Sequence, residues 1–226
     1  LRVNHQYRNH PSTRLSGSLR APIFLMIIST DHRIVFMAIP KTGTRSIYAC
    51  MKEYFGGIVT SDHARSVPLG YKHFYLFTVV RNPYHRAVSI WWSTCKRNND
   101  KRHFISKYLK EDNTFLNFCR RIGDIDQGEN LVVTHRQAEW LRSNYFDKIL
   151  RFENLNKEWL DMPFNTKQIP LDNINSTTAV RKGSLGPGNP VARGPYDQYL
   201  CNESIDLINK YYSQDFILAG YKKIET

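Results

Sequence analysis

Six consecutive residues, Lys41-Thr-Gly-Thr-Arg-Ser46, have the types needed to bind an anion. They follow an apolar run at 34–39 and Pro40, and they lead into a segment with helical spacing. In a turn placed there the backbone amides converge, and the helix behind it points its positive end at the same spot. Gly43 allows the backbone to come close to a phosphate. Thr42, Thr44 and Ser46 add hydroxyl donors, and Lys41 adds a mobile positive charge. The two-glycine spacing and Gly-Lys-[Ser/Thr] ending of a Walker A loop are absent, which disfavours a kinase or ATPase of the usual kind. Taken alone, the segment also fits an ordinary helix start capped by Thr44 or Ser46.

Elements must position such a turn. Residues 34–39 are rich in β-branched and apolar types and read as a buried parallel strand. Residues 46–55 read as a helix with Ile47, Cys50, Met51 and Tyr54 on one face, ended by Gly56-Gly57. Residues 74–80 form the second clear strand, broken by Arg81-Asn-Pro83, and Pro83 suits the first turn of a helix running from 84 to about 95. Further helices are expected at 104–110, 114–121, Ala138–Arg142 and 203–212, with a short one starting at 153 and ending before Pro163. Strands are expected at Ile58–Thr60 and 148–152. Residues 173–195, dense in Gly, Pro, Ser and Asn, read as a long functional loop. Strands alternating with helices imply an α/β fold, a three-layer sandwich around a central parallel sheet. Ligands in such folds bind beyond the carboxyl ends of the strands, where the turns after Ile39 and Val80 both lie.

The chain of 226 residues suffices for one domain with a substantial core, taken as 23–226 behind a basic, weakly periodic arm at 1–22. Its net charge of +12 favours anionic partners, including phosphates, acidic glycans, nucleic acid and headgroups, without choosing among them. The basic residues are scattered and form no aromatic–basic stripe, so nucleic acid is not expected. No apolar run is long enough to span a bilayer. Four widely spaced cysteines without a CxxC pair argue against a zinc site, and Cys50 reads as a buried free thiol.

Val79-Val-Arg-Asn-Pro-Tyr-His-Arg-Ala-Val-Ser89 resembles the 3′-phosphate-binding motif of sulfotransferases that use 3′-phosphoadenosine 5′-phosphosulfate (PAPS). Pro40-Lys-Thr-Gly-Thr-Arg-Ser46 resembles the same family's 5′-phosphosulfate loop, and the order and separation of the two motifs match. The strand at 148–152 with Glu153-Asn-Leu, and the ending at 211–221, resemble later parts of carbohydrate and bacterial members. The likeness implies a P-loop-like sulfotransferase fold and transfer of a sulfonate group from PAPS to an acceptor hydroxyl. The product would be 3′-phosphoadenosine 5′-phosphate (PAP), and no metal is required. It implies that Lys41 contacts the oxygen bridging sulfate and phosphate. Thr42, Gly43, Thr44, Arg45 and Ser46 would hold the 5′-phosphate, and Arg81 and Ser89 the 3′-phosphate. A guanidinium just past a strand end suits that task. Arg86 reads equally well as a solvated helix residue. Arg181-Lys182-Gly183, inside the long loop, resembles a segment that closes over the 3′-phosphate, although Ser184-Leu-Gly-Pro then departs from the pattern.

Transfer to a hydroxyl benefits from a base, and histidine suits neutral pH. His63 falls between the two motifs, where several family members place a catalytic histidine. His73, His85 and His135 compete with it, and Glu53 and Glu153 are held in reserve. Basic charge and the carbohydrate-type ending lean towards a glycan acceptor, with Trp91, Trp92 and Trp140 as residues that either stack on sugars or pack the core. The compartment is cytoplasmic if the chain is microbial, or the Golgi lumen if an anchor has been removed. Two other functions fit the charge: a non-catalytic polyanion- or nucleotide-binding module, and a P-loop-like nucleotide kinase.

Overall fold

The computed structural model describes residues 26–60, 65–96, 105–109, 112–129, 132–172 and 195–226. Its strands are β1 (Met26–Ser29), β2 (Ile34–Met37), β3 (Ile58–Thr60), β4 (Tyr75–Val80) and β5 (Lys148–Arg151). They form one sheet in the order β3-β1-β2-β4-β5. Helices α1 (Thr44–Tyr54), α2 (Pro83–Trp91), α3 (Ser106–Leu109), α4 (Phe115–Glu129), α5 (Ala138–Arg142), α6 (Leu155–Leu160), α7 (Asn202–Tyr211) and α8 (Ser213–Ala219) surround it.

All of β2 is buried, and its side chains alternate between two cores as strand geometry requires. Ile34, Phe36 and Ala38 pack with Ile47, Cys50 and Met51 of α1 and Trp159 of α6. Val35, Met37 and Ile39 pack on the opposite face with Trp140 of α5 and Ala219 of α8. A third cluster lies away from the sheet, where Ala87, Val88 and Trp91 of α2 meet α4 and α7.

The sheet is parallel only across β2, β4 and β5. β1 pairs antiparallel with β2 and with β3, so the all-parallel expectation is corrected to a mixed sheet. The cause is a short polar turn. Arg33 takes a left-handed φ of +53° and its N–H bonds the Thr30 carbonyl at 3.3 Å, folding β1 straight back onto β2. Hairpins need only such a turn, whereas parallel neighbours need a crossover. Helices also differ from expectation: the one expected at 114–121 runs on to Glu129, and α2 ends at Trp91 rather than near 95. α1 starts at Thr44 rather than Ser46, and the segment after Tyr212 coils into α8.

Candidate functional site

β2 and β4 are parallel neighbours, with Phe36 opposite Phe77, so the chain leaves both strands side by side. The turns that follow are joined directly: Arg81 Nη1 donates to the Lys41 carbonyl at 3.1 Å. The guanidinium lies against two rings, 4.1 Å from the Phe152 centroid and 4.7 Å from that of Tyr196. Its Nη2 donates to the Tyr196 hydroxyl. Its Nε is buried with no partner among the described residues. Burial pulls the Arg81 pKa down to about 10, against the opposing pull of Glu153.

Gly43 is required here on two counts. Its φ is +87°, and a Cβ at that position would sit 2.9 Å from Phe152 Cδ2. It occupies the cap position of α1, and no side chain caps that helix. The alternative in which Thr44 or Ser46 caps therefore fails. Lys41 also has a left-handed φ, +72°. The Thr42 hydroxyl turns inward and donates to the Ile39 carbonyl at 2.8 Å. From α2, Arg86 reaches back to this turn. Its Nε donates to the Pro40 carbonyl at 3.0 Å, and its Nη2 donates to the carbonyls of His135 at 2.9 Å and Val133 at 3.3 Å. Arg86 is 1% exposed, so it is a buried pin and not a solvated helix residue.

The Arg81 turn is built differently. Asn82 Oδ1 accepts from the amides of Tyr84 at 3.0 Å and His85 at 3.4 Å, and Pro83 occupies the first turn, so α2 starts with a side-chain cap. The Asn82 amide donates to Glu153 Oε1 at 2.8 Å, and Glu153 Oε2 accepts from Tyr221 at 2.6 Å. Gln137 pairs with the Arg81 backbone twice: Oε1 accepts its N–H at 2.9 Å, and Nε2 donates to its carbonyl at 2.8 Å. Asp215 of α8 in turn accepts from the Gln137 and Ala138 amides at 3.0 and 2.8 Å. Burial raises the Asp215 pKa, opposed chiefly by Arg86. Gln137 and Asp215 are wholly buried. Ser89 sits in α2, 8% exposed.

His63 and Arg181-Lys182-Gly183 lie outside the described residues. His135 is buried, with Nδ1 on Arg65 and Nε2 3.7 Å from Asp126. Burial lowers its pKa, against the pull of Asp126 and Glu139. His85 stacks on Tyr196 at 4.9 Å, and His73 is exposed against Phe74. Glu153 is committed to Asn82 and Tyr221, and Glu53 is exposed on α1. Trp91 and Trp140 are buried, so they serve the core and are not surfaces for a sugar; Trp92 is half-buried near Tyr199. Cys50 is a buried free thiol, as read from its helix face. Among the described residues no helix is long and apolar enough to cross a membrane, and no group of three or more His, Cys, Asp or Glu is placed to hold a metal ion.

Sequence reasoning missed Gln137, Asp215, Phe152 and Tyr196. Gln137 and Asp215 carried a faint signal, each a polar residue beside an apolar stretch, Ala138 onward and Phe216-Ile-Leu-Ala219. A buried polar group implies a hydrogen-bonded partner, but not which one. Phe152 and Tyr196 gave none. Comparison with known proteins adds one finding: the sequence model of the Sulfotransferase family matches residues 25–222. No curated protein and no solved structure matches the chain.

Proposed function

The chain belongs to the sulfotransferase family, and we propose that it transfers a sulfonate group from PAPS to an acceptor hydroxyl, on a carbohydrate. The observation that carries the reading is the Arg81–Lys41 bond of 3.1 Å, by which the two turns suited to anions touch. The chemistry of the donor set fits a bisphosphorylated nucleotide. One side is a helix start without a side-chain cap, entered through a glycine with φ +87°. The other is a buried guanidinium whose Nε has no partner among the described residues. A buried cationic donor of that kind is costly unless an anion or acceptor completes it.

In this reading the backbone of Gly43, Thr44 and Arg45 holds the 5′-phosphate, Ser46, whose N–H bonds the Gly43 carbonyl at 3.2 Å, adds its hydroxyl, and Thr42 locks the turn from inside. Arg81 and Ser89 hold the 3′-phosphate. Bound PAPS supplies the sulfonate group and departs as PAP. Lys41 offsets the negative charge that grows on the oxygen losing the sulfonate, an effect that matters most in a water-poor site. His63 takes the proton of the attacking hydroxyl, and Arg181, Lys182 and Gly183 close over the 3′-phosphate. The lean towards a glycan rests on net charge and on the resemblance of residues 211–221 to carbohydrate-type members.

The test is transfer from sulfur-labelled PAPS to a panel of hydroxyl acceptors: acidic and neutral glycans, a simple phenol and a tyrosine peptide. Label on a glycan supports the reading. Label only on the phenol or peptide retains the activity and overturns the acceptor. No label with any acceptor, together with phosphoryl transfer from ATP, overturns the activity itself.

A further inference from the structure

We propose that Gln137 is the positioning residue for Arg81. Its carboxamide sets the angle at which the guanidinium meets the 3′-phosphate, and Asp215 of the C-terminal helix holds Gln137 in register. The inference rests on the reading of Arg81 given above. The residue after a strand end has no ladder to fix its backbone. Here that job falls to one side chain, which occupies both the Arg81 N–H and its carbonyl, at 2.9 and 2.8 Å. A carboxamide is suited to this, since it carries a donor and an acceptor side by side in one plane. Its own backbone is fixed in turn. Asp215 accepts from Gln137 at 3.0 Å and from Ala138 at 2.8 Å, using both carboxylate oxygens.

The geometry separates this role from plain packing. Gln137 touches the Arg81 backbone and not its guanidinium, so it leaves the Nη1–Lys41 and Nη2–Tyr196 bonds untouched. Removing the clamp frees the Arg81 peptide to rotate and leaves the planar fork held only by its bonds to the Lys41 carbonyl and the Tyr196 hydroxyl, so its angle is less sharply set. A fork aimed at phosphate oxygens loses its paired contact on a small rotation. The loss therefore falls on recognition of the 3′-phosphate and spares the 5′-phosphate, which the other turn holds.

Two substitutions test this through one ratio, the affinity for PAP relative to adenosine 5′-phosphate, measured by calorimetry. Gln137→Met keeps size and removes both bonds, and the ratio should fall at least about tenfold, the equivalent of one hydrogen bond lost. Gln137→Glu carries the same donor–acceptor pair only while its carboxyl is protonated. Burial beside a carbonyl oxygen raises its pKa. Compared with wild type at each pH, so that titration of the 3′-phosphate itself cancels, its ratio should therefore match at about pH 5 and fall behind towards about pH 8. That pH-dependent rescue keeps the test alive should Gln137→Met fail to fold. A ratio in Gln137→Glu that tracks wild type at every pH, or one unchanged in a folded Gln137→Met, overturns the inference. Failure of the underlying reading looks different: the wild type then binds the two nucleotides equally, and Arg81→Ala changes nothing.

Discussion

The Lys41 turn and the Arg81 turn end neighbouring parallel strands, yet they are built on opposite plans. The Lys41 turn is shaped by backbone: Lys41 and Gly43 take left-handed φ values of +72° and +87°, and no side chain caps the helix that follows. In the Arg81 turn the main-chain donors are consumed by side chains. Gln137 takes the Arg81 N–H, Glu153 takes that of Asn82, and Asn82 caps Tyr84 and His85. One turn can thus offer main-chain groups to a ligand, and the other is left with its guanidinium alone. A site that grips a molecule with two different phosphate ends needs two such unlike halves. The bond from Arg81 to the Lys41 carbonyl, together with that from Arg86 to the Pro40 carbonyl, ties them to each other.

Mutations should separate the halves, the largest effect first. Lys41→Ala is expected to lower transfer by about 10²–10³-fold, the usual loss when a charge-stabilising donor is removed. Its melting temperature should stay near that of wild type. Turnover that survives intact would remove Lys41 from the chemistry and make the first half a binding element only. Arg81→Ala should weaken PAP by roughly tenfold to a hundredfold, since hydrogen bonds to charged groups are worth about 1.5–3 kcal/mol. Adenosine 5′-phosphate should bind that variant almost as well as wild type. Equal losses for both nucleotides would mean that the arginine only props the Lys41 turn.

Smaller effects probe the scaffold. Asn82→Ala removes the side-chain cap of α2 and should cost about 0.5–2 kcal/mol, read as a lowered denaturation midpoint. A matching loss from Thr44→Ala would erase the contrast, because α1 has no side-chain cap to lose. Acid should act least. Burial holds the His135 pKa below its ordinary 6.5, with Asp126 and Glu139 opposing and Arg65 and Arg86 adding to the shift. Between the folded value and 6.5 the unfolded chain binds more protons, so stability falls as pH falls through that window. Thermal melts from about pH 7 to about pH 5 should show the decline, and His135→Asn should flatten it.

What the sequence disclosed follows the same division. β2 and β4 were legible because strands buried on both faces read as unbroken apolar runs. The Lys41 and Arg81 motifs were legible because they are contiguous. β1 escaped notice because pairing with β2 depends on the turn at Arg33 rather than on the composition of Met26-Ile-Ile-Ser29. α8 escaped because Phe216-Ile-Leu-Ala219 is apolar without a period, and its one informative residue, Asp215, spends itself on Gln137 and Ala138. The sequence left Arg86 open because a helix arginine next to a motif can equally be solvated until the Pro40 carbonyl is placed beside it. Contacts between residues many positions apart leave no local pattern, and the support of the Arg81 turn consists largely of them.

The central claim is that the two turns hold opposite ends of one nucleotide, and calorimetric titration with three ligands tests it most directly. PAP should bind wild type far more tightly than either adenosine 5′-phosphate or adenosine 3′-phosphate. Arg81→Ala should bring PAP down to the level of the 5′-phosphate alone. Indistinguishable affinities for PAP and adenosine 5′-phosphate in wild type would contradict the account.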